Sequence, residues 1–383
     1  MLQFVKVKIV LLIHKKGGHM EDFVDNVSKN VLCPTNKNSH TIAERKLYLD
    51  LLRIIAICAV VMIHVSASYV VNPNNLLSFT IGNICDSFSR IGVPLFLMIS
   101  GSLVLDENKE FNCRKRIFSI LIPWCVWSFL YAFRFTIVIP ISQGKSFNVV
   151  SFFIYFITGH YHLWYMWAII GLYLISPILR KFVKKENKQI VAYFIVLSLI
   201  FQFSKPIITL LFETVIRSGN LEYAHTYISK NLNLDFFGGL TTYFLAGWFL
   251  SNINLKKSTE IFLYVIGLCS LICIIVVTQI FPNKYSLTYS NTGLFVLFYS
   301  IAIFLLVKNL CSNKRSENRF IIGCSNLSFG VYLIHVFILT MVEQILPVNS
   351  LFIPLIFLAT LTISYIIIYA ISKIPIAKKT VRG

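Results

Sequence analysis

Arg53 and His64 stand in the stretch LYLDLLRIIAICAVVMIHVSASYVV, residues 47–71, which is otherwise almost wholly apolar. In an α-helix, eleven steps of about 100° return to within about 20° of the start, so the two side chains share one face, about 16 Å apart along the axis. Ionisable groups in a spanning helix are costly and mark function by default. An imidazole in this setting has the chemistry of a general base toward a hydroxyl. The arginine has that of an anion binder, suited to the phosphates of an acyl donor. A structural account stands beside this one. Arg53 snorkels as an interfacial anchor or pairs with Asp50 three residues earlier, and His64 is a satisfied polar group. The two residues alone leave both accounts open.

Other groups offer the same choice. Asp86 and Arg90 are four apart on one helical face and read first as an intrahelical ion pair, with Arg90 facing a cavity shared with His64 as the alternative. Arg114, Lys115 and Arg116 read as a positive-inside stop signal, or as a dock for an anionic cofactor. His160, His162, Trp164, Tyr165 and Trp167 form either an interfacial aromatic belt or a carbohydrate platform. His335, alone in the middle of an apolar stretch, reads as a packing and hydrogen-bonding residue. There is no glycine-rich phosphate loop, nucleophile elbow or zinc-binding helix motif. The nine cysteines show no CxxC pair and no Cys/His metal spacing. We read them as structural thiols, with neither disulfides nor a metal.

The elements that must position these groups follow from composition. Apolar residues make up 56% of the 383-residue chain and charged residues 13%, with a mean hydropathy of +0.73. Recurrent apolar runs of about 18 residues or more predict an all-α polytopic membrane protein. We place spans at about 47–71, 82–105, 117–139, 163–180, 189–212, 234–252, 259–281, 292–310, 324–345 and 350–372. That makes about ten transmembrane helices, plus one short re-entrant or interfacial helix at 147–158. The longest loop between spans, 213–233, is polar. The net charge of +19 does not point to nucleic acid, because lysine and arginine concentrate in alternate loops. With both termini cytoplasmic, 27 of them lie inside and 5 outside.

The predicted organisation is a cytoplasmic tail over 1–46, one transmembrane domain over 47–372 and a cytoplasmic tail over 373–383. Lys15 to Met20 back-translates to a ribosome-binding site followed by a start codon, so we expect translation to begin at Met20. A short amphipathic leader is the alternative. No small-residue cleavage site follows the run at 4–13, which argues against a signal peptide.

Taken together, these segments resemble the acyltransferase 3 family of integral membrane acyltransferases over roughly residues 45–372. The most specific part is Leu49-Asp50-Leu51-Leu52-Arg53 through His64, which matches an Arg/Lys, ten residues, His signature. Gly92 to Gly101 resembles an apolar run ending in Ser-Gly. The basic segment before Ile120-Leu121-Ile122-Pro123-Trp124, then His162-Leu163-Trp164-Tyr165, and finally Ser328 to His335 follow in order. Within the family, His162 to Leu179 is most similar to bacterial O-acetyltransferases of surface glycans, such as that of enterobacterial common antigen.

The resemblance implies ten spanning helices, an acyl-CoA donor on the cytoplasmic side, and transfer of acetyl, less often succinyl, to surface sugars or lipid-linked precursors. It implies His64 as catalytic base, with Arg53. For binding the acetyl-CoA donor it points to Arg116, Arg114 and Arg90. For the acceptor and the oxyanion it points to His162, Trp164, Tyr165 and Ser100. One departure stands out: Ser119 occupies the place of a second arginine three residues after Arg116, where Arg114 might compensate.

The expected partners are the bilayer of the cell membrane, the acyl-CoA and a surface polysaccharide or lipid-linked glycan; oligomeric state is open. A transporter is the runner-up, since charges inside spans and proline-broken helices fit a carrier too. A sensory or scaffold domain is a third possibility.

Overall fold

The computed structural model describes residues 45–231, 238–311, 314–346, 349–375 and 377–381. Most of the expected N-terminal tail, including Met20, lies outside the described residues. Among those residues there is no β-strand, only an isolated bridge between Lys46 and Arg315.

Among the described residues, eight helical stretches are long and apolar enough to cross a membrane: Leu47–Val71, Leu76–Val104, Cys113–Ser142, Val149–Phe182, Lys188–Ile216, Lys257–Ile280, Arg319–Ile345 and Ser350–Lys373. Leu294–Leu310 is a shorter apolar helix. The stretch expected at 234–252 contains a described helix of 13 residues, Leu240–Asn252, about 20 Å long at 1.5 Å per residue. That is short of a hydrocarbon core of about 30 Å.

The helices used below are α1 (Leu47–Val71), α2 (Leu76–Ser89), α3 (Gly92–Val104), α4 (Cys113–Phe133), α5 (Val149–Thr158), α6 (Trp164–Phe182), α7 (Leu240–Asn252), α8 (Lys257–Ile280), α9 (Leu294–Leu310), α10 (Arg319–Ile345) and α11 (Ile353–Lys373). Asparagines start several of them, each side chain accepting from backbone N–H groups that the first turn leaves unpaired. Asn75 accepts from Ser78 N, Asn112 from Lys115 N, Asn148 from Val150 N, and Asn318 from Phe320 N, at 2.8–2.9 Å.

The second span begins at Leu76, six residues before the expected boundary, because Asn75 caps it there. It breaks at Arg90–Ile91. The short helix expected at 147–158 is α5, ten residues ended by Gly159 at φ 77°. That left-handed conformation suits glycine. Part of the loop expected at 213–233 is helical: Gly219–Asn231 carries exposed Leu221, Tyr223, Tyr227 and Ile228.

The outside of the bundle is apolar. On α8, Ile261, Val265, Leu268, Ile272 and Val276 are exposed, while Gly267, Ser270, Leu271, Ile274 and Thr278 are buried. One helix thus has an apolar outer stripe and an inner face of small residues, the pattern of a lipid-facing helix. Burial from water gives little preference between lipid and core, so close packing has to hold such helices together.

The tightest contact is between α3 and α7. A Cβ at Gly101 would fall on the Phe244 backbone, and one at Gly247 on the Met98 backbone. Helix α1 lies at the centre, packed on α2, α3, α9, α10 and α11. It therefore presents the Arg53–His64 face to the interior.

Candidate active site

Helix α1 runs unbroken through both residues, so the spacing of about 16 Å stands. Near Arg53 the structure rearranges the expected pairing. The buried Asp50 carboxylate accepts from Arg45 Nε at 2.6 Å and Nη2 at 2.7 Å, and from Ser325 Oγ at 2.7 Å. Arg53 Nη1 reaches it only at 3.3 Å and lies 3.4 Å from Ser325 Oγ. Asp50 is mainly the partner of Arg45, and most of the Arg53 guanidinium is left for the space beside it.

That space is a cavity of about 360 Å³. Arg45, Arg53 and Arg116 line it, with Ser100, Ser325 and Asn326 as neutral polar groups, and no carboxylate is in its described lining. Three guanidiniums in a partly enclosed space favour an anion, since each offers a fork of N–H donors matched to phosphate. Tyr165 and Tyr173 also face it. Arg114 does not line this cavity: it is exposed, with its guanidinium carbon 5.8 Å from the Phe118 ring centre. The second cation beside Arg116 is Arg45, which comes from the start of α1. The Ser119 hydroxyl turns back to the Arg116 carbonyl at 2.8 Å.

Beyond Tyr332, which also lines the cavity, lies a cluster of imidazoles. The His64 ring centre is 5.0 Å from that of His335, 6.2 Å from His162 and 5.5 Å from Tyr161. His335 and His162 are 5.3 Å apart. His64 Nδ1 lies 3.4 Å from the Tyr161 hydroxyl. His160 Nδ1 is 2.9 Å from His162 Nδ1, and Tyr131 stacks on His160 at 4.7 Å. The Tyr332 hydroxyl donates to the His162 carbonyl.

His335 Nδ1 faces the Tyr332 carbonyl at 2.7 Å and that of Val331 at 3.2 Å. A carbonyl only accepts, so this nitrogen carries the proton and Nε2 holds the lone pair. The Nε2 atoms of His335 and His162 are buried and without a protein partner. Both atoms therefore keep hydrogen-bonding capacity toward the space beside His64. Among the described residues no group of three or more His, Cys, Asp or Glu side chains has the geometry to hold a metal ion.

The remaining sequence candidates are dispersed. Trp164 is exposed at the start of α6, with its ring 6.5 Å from that of Tyr165. Arg90 is ion-paired to Asp86, stacks over Tyr289 at 4.0 Å, and does not line the arginine cavity. Asp86 and Arg90 sit next to a polar knot in which Asn83 donates to the Ile275 carbonyl and accepts from Tyr289, joining α2 to α8. The arrangement is thus an arginine-lined cavity and an imidazole cluster, to which α1 contributes Arg53 and His64 respectively, with Tyr332 between them.

A family model described as Acyltransferase domain, acyltransferase 3, matches residues 46–369. The chain belongs to the acyltransferase 3 family. It is a membrane acyltransferase, with Arg53, His64, Arg116 and His335 all inside the matched region. No curated protein and no solved structure matches it.

Arg45, expected in the cytoplasmic tail, lines the cavity and pairs with Asp50 five residues on. His335 is buried and hydrogen-bonded to its own helix backbone, as expected of a lone histidine in an apolar stretch, and its ring also lies beside that of His64.

Proposed function

We propose that this acyltransferase moves an acetyl group from acetyl-CoA to a hydroxyl of a cell-surface polysaccharide or glycolipid precursor. The observation that carries the reading is the division of α1 between Arg53, in a cavity with Arg45 and Arg116, and His64, among His162, His335 and Tyr161. The arginine cavity fits the anionic donor in charge, and its neutral lining of serines and tyrosines fits the uncharged remainder. The distribution of lysine and arginine supports a cytoplasmic position for this end. Imidazoles with free lone pairs fit a sugar, whose hydroxyls donate.

In this mechanism the His64 imidazole takes the proton of the acceptor hydroxyl as its oxygen bonds to the thioester carbonyl carbon. General-base assistance of this kind contributes about 10²–10⁴-fold. The tetrahedral oxyanion needs a donor at the same carbon that the hydroxyl attacks. When the C–S bond breaks, the proton on His64 passes to the leaving sulfur, so the imidazole ends neutral and atoms balance. His335 orients the sugar by accepting from a neighbouring hydroxyl at Nε2, and His162 offers its unpaired Nε2 to a second polar group of the sugar.

The test compares wild type with His64→Ala at equal membrane level, following glycan O-acetylation by NMR with a labelled acetyl donor. The expected loss is at least about 10²-fold with glycan export retained. Unchanged acetylation would remove His64 as the base. Loss of the glycan from the surface, rather than of its acetyl group, would favour the exporter.

A further inference from the structure

A second cavity, of about 660 Å³, opens at the same basic end as the arginine cavity, and the mechanism above does not use it. Its walls come from four places in the chain. The residues before α1 give Arg45 and Lys46, the end of α9 gives Lys308, the following loop gives Lys314 and Arg315, and the turn between α7 and α8 gives Asn254. Arg45 is common to both cavities.

Backbone bonds hold this rim in shape. Leu47 N donates to the Lys314 carbonyl at 3.1 Å and Ser316 N to the Arg45 carbonyl at 3.0 Å. Lys308 Nζ donates to the carbonyls of Leu250 and Ile253, which fixes its ammonium at the cavity wall with one N–H to spare. The one carboxylate in the lining, Glu260, already accepts from Lys257 and Asn309.

Basic loop residues that only set topology can splay into water. These converge instead: Lys46, Lys308, Lys314 and Arg315 all line one concavity. Like charges gathered around a concavity, with its acid already occupied, are stabilised by an anion between them. Basic pockets between spanning helices take phosphate head groups for this reason.

We propose that this cavity binds a phosphate-bearing anion through Lys46, Lys308 and Lys314. The proposal does not rest on the acetyl-transfer reading. The anion comes from a soluble phosphate compound or from a lipid head group, and one experiment separates the two sources.

The purified full chain in neutral detergent is titrated calorimetrically with inorganic pyrophosphate. In parallel, it is taken from nanodiscs of phosphatidylcholine with phosphatidylglycerol and cardiolipin, and retained lipid is read by native mass spectrometry. Lys46→Gln/Lys314→Gln spares the Lys308 contacts. Lys314→Gln alone changes one exposed loop side chain and covers the case of a misfolded double variant. Lys181→Gln/Lys184→Gln removes equal charge elsewhere on the surface.

The expected result is about a tenfold or greater loss of pyrophosphate affinity, or of retained anionic lipid, in the Lys46/Lys314 variant and a smaller loss in Lys314→Gln. The charge-matched control should behave as wild type. Loss in the first arm alone assigns a soluble anion, and loss in the lipid arm assigns a head group. Wild-type behaviour of the Lys46/Lys314 variant in both arms, or an equal loss in the control, overturns the proposal.

Discussion

Arg45 clasps Asp50 through two bonds of 2.6 and 2.7 Å, while Arg53, three residues along the same helix, reaches the same carboxylate only at 3.3 Å. The acid is buried and Arg45 is more than a third exposed. Arg45 therefore neutralises Asp50 from outside the helix and leaves Arg53 for the cavity. Arg45→Gln should draw Arg53 onto Asp50, raising the KM for the acyl donor about tenfold, as expected for one charged hydrogen-bond partner. The effect on kcat should be smaller. Steady-state kinetics against donor concentration reads the split; an unchanged KM would mean that Arg53 does not meet the donor.

The two arginines around Lys115 should behave differently. Arg116 lines the arginine cavity, whereas Arg114 lies exposed along Phe118. Arg116→Gln should weaken donor binding by roughly tenfold, as for one charged hydrogen-bond partner, and Arg114→Gln by a factor of about two or less, since Arg114 stands outside the cavity. Binding of a non-hydrolysable donor analogue, measured for both variants, checks this. Equal losses would show that general charge, not position, governs binding.

His335 should matter to turnover. Its Nδ1 is held by backbone carbonyls, and its ring centre is 5.0 Å from that of His64. His335→Phe keeps a ring of similar size and removes both nitrogens. We expect kcat to fall by about 10–100-fold, the lower range for a group that assists proton transfer or orients its substrate, with donor KM nearly constant. A variant with wild-type kcat would return His335 to a packing role.

Gly247 and Gly171 give a contrasting pair. A methyl at Gly247 would overlap the Met98 backbone, so Gly247→Ala must push α7 from α3. Overpacking of this kind costs about 1–3 kcal/mol, more where backbone is struck. Because α3 carries Ser100, activity should fall as well. Gly171 on α6 has open space at the same position, and Gly171→Ala should stabilise that helix by about 0.5–1 kcal/mol. Thermal unfolding in detergent should separate the two variants in opposite directions.

Much of the fold was legible locally. A mostly apolar run of 25 residues becomes a helix at 47–71 because its backbone groups must pair with each other in an apolar medium. A helix restarts at Lys205 with proline in its first turn, where the missing N–H has no helical partner to lose. The helix at Gly219–Asn231 was not legible, because its polar composition hides the apolar spacing of Leu221 and Ile228. The early start at Leu76 was missed because a capping asparagine outweighs the fall in hydropathy before the span.

The sequence by itself determined that Arg53 and His64 share a face, since about 100° per residue is a property of the backbone alone. It also determined, through ordered motifs, the family to which they belong. Only the tertiary structure decided what surrounds them. Arg45 bonds Asn326 across 281 residues at 3.0 Å, and His64 meets His335 across the interface of α1 and α10. No local periodicity encodes such pairings. They arise where small residues let helix backbones approach and where each buried charge takes the partner that packing brings within reach.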